Sequence, residues 1–546
     1  MTGTLAEKVA AQARSKAIAA RVLTQAGVIQ PFGPVTLVGI VKAVRTWGMG
    51  VAGGFTAVAI RFPERTGLID DLGELTFREI DERSNALADQ LARRGVRQGD
   101  GVALLVRNHR GFLDATLAIT KLGANVLLLN TAFAAPQLGE VCEREQAKVI
   151  IHDEEFDALV DRAHVSMPRL LAWTDSPVTA RADRDTIEEL IASGSRAAHT
   201  PPSREGKIVI LTSGTTGTPK GAPRGGGNLE AAVALLERIP LRAGWRSHVA
   251  APLFHTWGFA HLSLAMLLGS TVVLTRRFEP EHSLQVLTEH RCDSFVVIPV
   301  MLQRILRLPQ ETLDSYDLSH VKVVAASGSA MPGNLSIEWM DQFGDTLYNI
   351  YGSTEVAWAS VAQPKDMRAA PGTAGKPPVN TVVRIYDHTG HELPTGEAGR
   401  IFVGNSMLFE GYTGGGDKER IDGLMSSGDV GRFDAEGRLF VEGRDDEMIV
   451  SGGENVFPKE VEDCLARHEG VVEVAAIGVD DDEFGKRLRA FVVRADGSDL
   501  TEEELRDYVK ENLARYKVPR EFVFLEELPR NATGKILKRE LFGIGG

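Results

Sequence analysis

The chain has 546 residues, more than one hydrophobic core usually serves, so its length predicts at least two domains. Its composition, 43% hydrophobic and 25% charged, is that of an ordinary globular protein, and its net charge of −13 argues against a nucleic-acid partner held by a basic surface. Cys142, Cys292 and Cys464 lie too far apart to indicate a disulfide framework or a CxxC metal pair, and no secretory signal is visible, which favours a cytoplasmic protein.

An apolar segment lies near the N-terminus, at residues 22–60. Residues 22–41 carry no charge, and residues 46–60 (TWGMGVAGGFTAVAI) are apolar and rich in glycine. The first stretch contains two prolines and the second is too short to span a bilayer, so neither predicts a transmembrane helix. Two alternatives remain open for residues 22–60: they pack against the protein's own surface, or they contact membrane lipid peripherally.

Strands and helices then alternate. Residues 76–79 predict a capping box, and Gly95 predicts the end of the helix that it opens. Apolar runs at 102–106, 125–129 and 148–152 predict strands, helical patterns lie between them, and further strands follow at 247–251, 271–274, 294–298 and 321–326. This order predicts an α/β fold: a large N-terminal domain of mostly parallel sheets with crossover helices.

A loop suited to phosphate follows the apolar strand at residues 208–211. Residues 212–221 read Thr-Ser-Gly-Thr-Thr-Gly-Thr-Pro-Lys-Gly, and their backbone amides could surround phosphate oxygens while Lys220 supplies a positive charge. The loop is not a Walker A motif, because Pro219 blocks a helix there and Gly221 replaces the Ser or Thr after the lysine. A polar turn is the alternative.

Two further loops combine glycines with charged side chains. In residues 348–355, Tyr351 could stack on a base and the Glu355 carboxylate could hold Mg²⁺, a hard cation that prefers oxygen. In residues 426–446, Asp429 suits ribose hydroxyls, and Arg444 could bridge ribose and phosphate. Without context, both loops would be ordinary surface turns.

The composition changes beyond Asp446 to a compact module of α+β type. Pro458 opens a helix, residues 471–479 and 488–493 predict strands, and residues 501–504 predict a second helix cap. The tail at 528–538 reads LPRNATGKILK, with Lys535 on a turn flanked by glycine. Such a lysine is usually a solvated surface charge.

These motifs together, in order from about Leu75 to Lys538, resemble the adenylate-forming (AMP-binding) superfamily, and within it the fatty-acyl-CoA synthetases or long-chain fatty acid–CoA ligases. The resemblance implies an amphipathic N-terminal segment at 1–62, an AMP-binding adenylation domain at 63–445 and a small mobile C-terminal lid at 446–546. It implies two steps: a medium- or long-chain fatty acid reacts with ATP to give acyl-AMP and pyrophosphate, and the acyl group then passes to coenzyme A.

The resemblance also assigns the site. The catalytic residues would be Lys535, Glu355, His255 and Lys220, with Glu355 as the Mg²⁺ ligand. The residues that bind ATP or coenzyme A would be Thr212, Ser213, Gly214, Thr215, Thr216, Gly217, Lys220, Gly328, Ser329, Ala330, Asn349, Tyr351, Gly352, Ser353, Thr354, Asp429, Arg444, Gly452 and Gly453. Asp446 would be the hinge of the lid, and Tyr516, Lys517 and Arg520 would contact the nucleotide of coenzyme A.

The acid pocket would be lined by residues 252–259. His255 would abut the acyl group, although a lone histidine among apolar residues is more often simply packed. Trp257 could gate an apolar tunnel or belong to the core. Residues 224–228 depart from the family pattern, in which a histidine commonly precedes the asparagine. Transfer of the acyl group to a carrier protein, or silent binding of a nucleotide or fatty acid, remain alternatives, and the oligomeric state is open.

Overall fold

The computed structural model describes residues 5–175, 185–212, 220–224, 229–409, 411, 417–445, 447, 449–451, 454–481, 485–514, 517–531 and 534–544. They fall into two compact units. Unit 1 comprises Met1–Val297, Leu308–Ala325 and Ser406–Lys418, and unit 2 comprises Ile298–Arg307, Ala326–Asn405 and Glu419–Gly546.

The part of the chain up to Val297 alternates helices with short strands. Its helices are α1 Leu5–Gln25, α2 Pro34–Trp47, α3 Val51–Arg61, α4 Phe77–Arg93, α5 Arg110–Lys121, α6 Ala135–Arg144, α7 Asp157–Arg162, α8 Ile187–Ser193, α9 Leu229–Arg238, α10 Thr256–Leu267 and α11 Pro280–Glu289, with a 3₁₀ helix at Glu154–Phe156. Its strands are β1 Thr66–Asp70, β2 Gly73–Thr76, β3 Gly101–Leu105, β4 Asn125–Leu128, β5 Ala147–Asp153, β6 Arg169–Trp173, β7 Ile208–Thr212, β8 Lys220–Arg224, β9 Arg246–Val249, β10 Thr271–Val273 and β11 Ser294–Val297.

The remaining elements run from α12 to α18. The helices are α12 Pro299–Leu306, α13 Gln310–Asp314, α14 Gly333–Phe343, α15 Pro364–Ala369, α16 Pro458–Leu465, α17 Glu502–Asn512 and α18 Lys538–Leu541. The strands are β12 Val323–Ala326, β13 Leu347–Tyr351, β14 Ser360–Ala362, β15 Val382–Tyr386, β16 Gly399–Gly404, β17 Arg420–Ile421, β18 Leu424–Phe433, β19 Leu439–Arg444, β20 Ile449–Ser451, β21 Glu454–Val456, β22 Val471–Asp481, β23 Gly485–Arg494 and β24 Glu521–Leu525. Of these, α13 and most of β12 belong to unit 1.

Unit 1 is built on parallel strands. One sheet has the order β6-β5-β3-β4-β7-β8, in which only the edge strand β8 is antiparallel to its neighbour. The strands of a second sheet that fall in this unit follow the order β12-β11-β9-β10-β1-β2, with β11, β9, β10 and β1 parallel. Every residue of β3 and of α5 is buried, as expected of a parallel sheet that is covered by crossover helices.

Unit 2 is mostly antiparallel. It contains the hairpin of β13 and β14, a sheet of order β15-β16-β18-β17 with β19 paired to β18, and a C-terminal sheet of order β21-β20-β23-β22 with β24 parallel to β23. Alternate residues of β22 and β23 enter two cores: Ala476 and Ala490 meet α16 and α17, and Ile477 and Phe491 meet Leu541 of α18. Both faces of the C-terminal sheet are therefore covered.

These features confirm the predicted fold class, an α/β part with parallel sheets and a small C-terminal α+β part. The first predicted cap is also present: the Glu79 amide donates to Thr76 Oγ1 at 3.2 Å, and the Thr76 amide donates to Glu79 Oε2 at 2.7 Å. The secondary structure at Lys220 differs from the prediction: this residue begins strand β8, whereas the sequence predicted that it lies in the loop. The domain boundaries at residues 62 and 445 stay predictions.

The apolar segment at residues 22–60 has two parts that differ in burial. Helix α3 is packed, with Phe55 and Val58 almost fully buried, whereas α2 leaves Val35, Val38 and Val41 exposed. No helix within the described ranges combines the length and the apolarity that crossing a bilayer requires. Helix α3 therefore packs on the protein's own surface, as the first alternative predicted. Helix α2 does so with one face only, and its other face is exposed.

Candidate active site

Two adjacent strands of unit 2 place Asp429 opposite Arg444. The antiparallel register of β18 and β19 pairs these two residues directly, and Arg444 Nη1 lies 3.3 Å from Asp429 Oδ1. Gly428 has a φ of +80°, and a Cβ at this position would lie 3.2 Å from a guanidinium nitrogen of Arg444. The spacing of 15 residues between the two charges is therefore the length of a hairpin that brings them together.

Tyr351, the last residue of β13, joins this pair. Its hydroxyl donates to Asp429 Oδ2 at 2.5 Å and lies 3.2 Å from Ser427 Oγ. Burial, followed by the charge of Asp429, raises the pKa of Tyr351 well above its ordinary value. Burial also raises the pKa of Asp429, by more than Arg444, Tyr351 and Lys535 lower it. The ring of Tyr351 is thus held in one position through its hydroxyl, which suits a face on which a base stacks.

Lys535 belongs to the same group of residues although it is distant in sequence. Its side chain is exposed, and its charge is one of those that lower the pKa of Asp429. The turn before it is closed by two 2.9 Å bonds, from the Lys535 amide to Asn531 Oδ1 and from the Asn531 amide to the Lys535 carbonyl. Gly534 takes a φ of +76° in this turn. The structure therefore brings a lysine, a carboxylate, an arginine and a tyrosine from four segments to one place.

An ion-pair cluster holds the turn that carries Lys535. Glu473 accepts hydrogen bonds from Arg307 Nη2 at 2.8 Å and from Arg530 Nη2 at 2.9 Å, and Arg530 Nη1 also donates to the Gly534 carbonyl at 2.6 Å. A Cβ at Gly534 would lie 2.5 Å from a side-chain carbon of α12, so the turn rests directly on that helix. Sequence analysis missed this cluster, and its one sequence signal was the position of Arg530 beside the lysine motif.

The loop between β13 and β14 doubles back because the two strands pair Tyr351 with Ser360. A Cβ at Gly352 would lie 2.0 Å from the Ala357 carbonyl oxygen, which no side chain can avoid without moving the backbone. Ala357 itself has a φ of +63°. Gly352 is therefore required by the fold of the loop and not by a ligand alone.

This loop carries Ser353, Thr354 and Glu355. Ser353 Oγ accepts from the amides of Glu355 at 3.2 Å and Val356 at 3.3 Å, so this predicted cofactor contact serves as a brace inside the loop. Thr354 and Glu355 are half-buried. Their roles toward phosphate and Mg²⁺ remain predictions.

A second loop meets the carboxyl end of β13. Ser327 Oγ donates to the Ile350 carbonyl at 2.8 Å, which fixes the start of the loop that contains the predicted adenine contacts Gly328, Ser329 and Ala330. Asn349 is buried, and its Oδ1 has no hydrogen-bond partner in the described part of the chain. The carboxyl ends of strands in α/β sheets are where ligands bind, and an orphaned acceptor there suits an amino group of a ligand.

The predicted phosphate loop belongs to unit 1. The last residue of β7 and the first of β8, Thr212 and Lys220, are backbone partners in an antiparallel pair. The connecting residues Ser213, Gly214, Thr215, Thr216 and Gly217 lie outside the described residues, as do 225–228, where the sequence departs from the family pattern. The structure thus gives the two ends of this loop and their register.

Helix α10 carries the residues predicted to line the acid pocket. His255 occupies the N-cap position and is half-buried. Trp257 is buried, and its Nε1 donates to the Val297 carbonyl at 2.9 Å, so the packed alternative describes Trp257 in this structure better than a gate does. His261, one turn further on, was not singled out from the sequence. Its ring centroid lies 4.3 Å from that of Trp257, and neither ring nitrogen has a hydrogen-bond partner among the residues described.

Burial lowers the pKa of His261 from 6.5 to about 3. Below pH 6.5 the unfolded chain therefore takes up a proton that the folded chain does not, so this histidine costs stability as the pH falls. We expect the free energy of unfolding of His261→Leu, relative to that of the natural chain, to rise by about 1.4 kcal/mol for each pH unit between pH 6.5 and about 3. Urea unfolding of both proteins at a series of pH values measures this difference, and a difference independent of pH would contradict it.

Residues predicted to contact coenzyme A are described in part. Gly452, Gly453, the hinge Asp446 and Tyr516 lie outside the described residues. Lys517 is described, and its Nζ lies 2.6 Å from both carboxylate oxygens of Glu460, so this cation is paired within the C-terminal module. The roles of these residues stay predictions.

Comparison with known proteins identifies clear relatives. The model of the AMP-binding enzyme family matches residues 55–413, and that of the AMP-binding enzyme C-terminal domain matches residues 460–535. The chain is 35% identical over 474 residues to a feruloyl-CoA synthase of an Amycolatopsis species. This alignment covers 86% of this chain and 93% of the relative. The chain is also 31% identical over 493 residues to an indoleacetate–CoA ligase of Aromatoleum aromaticum, with 88% and 94% covered.

A solved structure shows the same fold. The o-succinylbenzoate CoA synthetase of Bacillus subtilis, in complex with its acyl-adenylate intermediate, aligns with a TM-score of 0.77 and 28% identity. The alignment covers 89% of this chain and 97% of that one. Both sequence relatives and this structure carry names of enzymes that act on aromatic acids.

Proposed function

We propose, from the premise that this chain belongs to the family of AMP-binding enzymes, that it is an ATP-dependent acid–CoA ligase whose substrate is an aromatic carboxylic acid. The observation that carries the reaction type is the cluster of Tyr351, Asp429, Arg444 and Lys535, four motif residues that the fold gathers in unit 2. The acid class is supported by the names of the relatives.

In the first step a carboxylate oxygen of the acid attacks the α-phosphorus of ATP, an acyl-AMP forms, and pyrophosphate leaves. Two anions must approach each other, so positive charge and fixed orientation are the main demands on the protein. The exposed ammonium group of Lys535 is the cation that the turn at 531–535 presents beside Asp429. We assign to it the role of stabilising the negative charge that develops between the carboxylate and the phosphate. Lys220 would neutralise the outer phosphates.

The nucleotide fits the residues that meet at the end of β13. The Asp429 carboxylate would accept from ribose hydroxyls, and Arg444 would contact ribose or phosphate oxygens. The Tyr351 ring would stack on adenine, and the orphaned Oδ1 of Asn349 would accept from a base amino group. Each of these roles uses an atom whose position or missing partner the structure gives.

Glu355 would hold Mg²⁺, because its carboxylate oxygens are ligands of the kind that this cation prefers. When bound, the ion would offset the negative charge of the phosphates. Among the described residues no cluster of three or more His, Cys, Asp or Glu could hold a metal by protein ligands alone. A single carboxylate together with substrate phosphates is how Mg²⁺ is commonly bound.

In the second step the coenzyme A thiolate attacks the carbonyl carbon of acyl-AMP, a thioester forms, and AMP leaves. Acyl-AMP is a mixed anhydride that water hydrolyses, so it needs an enclosed site. The lid movement and the channel wall at Gly452 and Gly453, which the family resemblance implies, belong to this step of the proposal.

His261 adds support for an acid with a polar ring substituent. Its imidazole is buried beside Trp257, and neither ring nitrogen has a hydrogen-bond partner among the described residues. It therefore offers both a donor and an acceptor, which a hydroxyl or carbonyl group on the acid could use. An unsubstituted alkyl chain has no such group. A medium- or long-chain fatty acid, which the family resemblance and the apolar residues at 252–259 predict, is the second candidate.

An acid panel separates these substrates. We expect ATP-dependent pyrophosphate release and CoA thioester formation to be faster with hydroxycinnamates, arylacetates and benzoates than with any straight-chain fatty acid. Faster turnover of fatty acids, with a gain of about 0.8 kcal/mol of binding per methylene, would favour the second candidate. Pyrophosphate release without any CoA thioester would favour loading of a carrier protein, and no release with any acid would favour a silent binding protein.

A further inference from the structure

The N-terminal segment of the chain has a charge opposite to that of the rest. Residues 8–63 contain seven Lys and Arg residues and neither Asp nor Glu, which gives them a net charge of +7 within a chain of net charge −13. The remaining residues therefore carry −20. A surface built from this segment attracts anions, while most of the molecule repels them.

Helix α2, within this segment, has two different faces. On its inner face Ala43 is buried and Ile40 and Trp47 are half-buried. A solvent-facing side would ordinarily carry polar residues, yet here it carries aliphatic side chains. The exposed fractions are 87% for Val35, 52% for Leu37, 67% for Val38 and 57% for Val41.

Two more apolar side chains lie at the ends of α2, and basic ones lie beside them. Ile29 precedes the helix with 50% exposure and Met49 follows it with 49%. Lys42 and Arg45 are exposed on the same outer side of the helix. We call the outer patch the set of Ile29, Val35, Leu37, Val38, Val41, Lys42, Arg45 and Met49. Elsewhere in the described residues, exposed large apolar side chains are few and scattered.

The helix under the outer patch is firmly seated. A Cβ at Gly39 would lie 3.0 Å from Ile60 Cγ2, so α2 approaches α3 closely at this point. Helix α3 in turn packs on α4, α5 and α10, with Phe55 and Val58 almost fully buried. The four exposed aliphatic side chains of α2 are therefore carried on a helix that packs closely against α3. The outer patch also precedes residue 55, where the match to the family model begins.

We propose that the outer patch binds the surface of a lipid bilayer that contains anionic headgroups. Aliphatic side chains on one side of a helix, with Lys42 and Arg45 among them, suit insertion at the boundary between headgroups and acyl chains. Glu205 is an acidic neighbour of the patch: its carboxylate lies against Gly48 and Gly50, at the Met49 end, while the basic side chains lie on α2 itself. The 14 residues of α2 are too few to cross a bilayer, which takes about 20, so the helix lies along the surface. Pairing with a second copy of this chain would bring two segments of charge +7 together, which repulsion disfavours.

Sedimentation of the full chain with vesicles tests the proposal. Vesicles of phosphatidylcholine alone are compared with vesicles that also contain phosphatidylglycerol, at low and high salt. We expect binding to the anionic vesicles, weakened by salt. The triple variant Val35→Ser, Val38→Ser and Val41→Ser should reduce the partition coefficient by roughly a hundredfold or more, because each valine buries apolar surface in lipid.

The charge variant Lys42→Gln with Arg45→Gln leaves the apolar side chains unchanged. It should reduce binding to anionic vesicles by roughly thirtyfold and leave any binding to neutral vesicles unchanged. The matched control is Leu72→Ser with Val382→Ser, which removes two exposed apolar side chains from outside the segment. It should bind as the natural chain does.

Several results would overturn the proposal. They are absence of vesicle binding by the natural chain, undiminished binding by the triple variant, or equal binding to neutral and anionic vesicles. A dimer of the natural chain in analytical ultracentrifugation that the triple variant abolishes, without a loss of vesicle binding, would assign the patch to self-association instead. Thermal unfolding of each variant checks that it folds, and the charge variant decides the matter if the triple variant does not fold.

Discussion

Replacing Lys535 by alanine is expected to slow formation of acyl-AMP by roughly thirty- to a thousandfold while preformed acyl-AMP and CoA still give thioester at nearly the normal rate. The variant loses one or two charge-assisted contacts to the reacting groups, which corresponds to roughly 2 to 4 kcal/mol of barrier. The reason for the asymmetry is that the ammonium group is needed where carboxylate meets phosphate, and the thiolate step has no such encounter. Measuring each half-reaction separately gives the two rates.

The matched control for Lys535 is Arg539→Ala, which removes another exposed cation from the same tail. This variant should leave both half-reactions unchanged, because Arg539 is no part of the motif that reaches Asp429. Equal slowing of the two steps in the Lys535 variant would show that the lysine is structural or shared. In that case the proposal that Lys535 acts only in acyl-AMP formation, with the lid moving before the thioester step, would be wrong.

Glu473→Gln is expected to slow acyl-AMP formation by roughly tenfold or more, with the thioester step again near normal. Glu473 is largely buried and accepts from Arg307 through Oε1 and from Arg530 through Oε2. In the Glu473→Gln variant one of these oxygens becomes an NH2 group that cannot accept, so one charge-assisted bond of roughly 1.5 kcal/mol is lost, and the other weakens because its acceptor is no longer charged. The turn at 531–535 would then be held less firmly on α12, and Lys535 would spend less time in place. Glu473 is a positioning residue in this account.

Glu521→Gln serves as the control for Glu473, because Glu521 also contacts two arginines, Arg489 at 2.8 Å and Arg487 at 3.4 Å. It lies in the same C-terminal module, and among the described residues its ion pairs are with these two arginines and not with Arg530 or Lys535. If both glutamate variants slow the first step alike, the effect is general loosening of the module. If Glu473→Gln lowers thermal stability and both half-reactions in parallel, the positioning role is contradicted.

Local patterns in the sequence determined the class of fold and the candidate residues. Apolar runs separated by helical patterns predicted the parallel sheets, because period and residue type are local properties. The Thr76 and Glu79 pair predicted a cap for the same reason. The motif strings selected Tyr351, Asp429 and Lys535 before any geometry was known, and the structure then placed these three together.

The tertiary structure alone decided how those residues are held. The Asp429 and Arg444 pair depends on strand register, and the bond from Tyr351 to Asp429 joins residues whose sequence separation hides their contact. The Glu473 cluster could not be predicted, because a glutamate and two arginines from three segments carry no joint signal in a single sequence. Burial is likewise a property of the packed chain: it lowers the pKa of His261 and leaves both ring nitrogens without a hydrogen-bond partner in the described part of the chain.

The outer patch on α2 shows the same division. The sequence showed an apolar, basic segment and left two alternatives open, because composition does not reveal which side of a helix is covered. The structure decided the matter residue by residue, burying Ala43 and leaving Val38 exposed on opposite sides of one helix. The physical reason is that hydrophobic burial depends on which surfaces meet, and that is fixed only when α3 and its neighbours have packed.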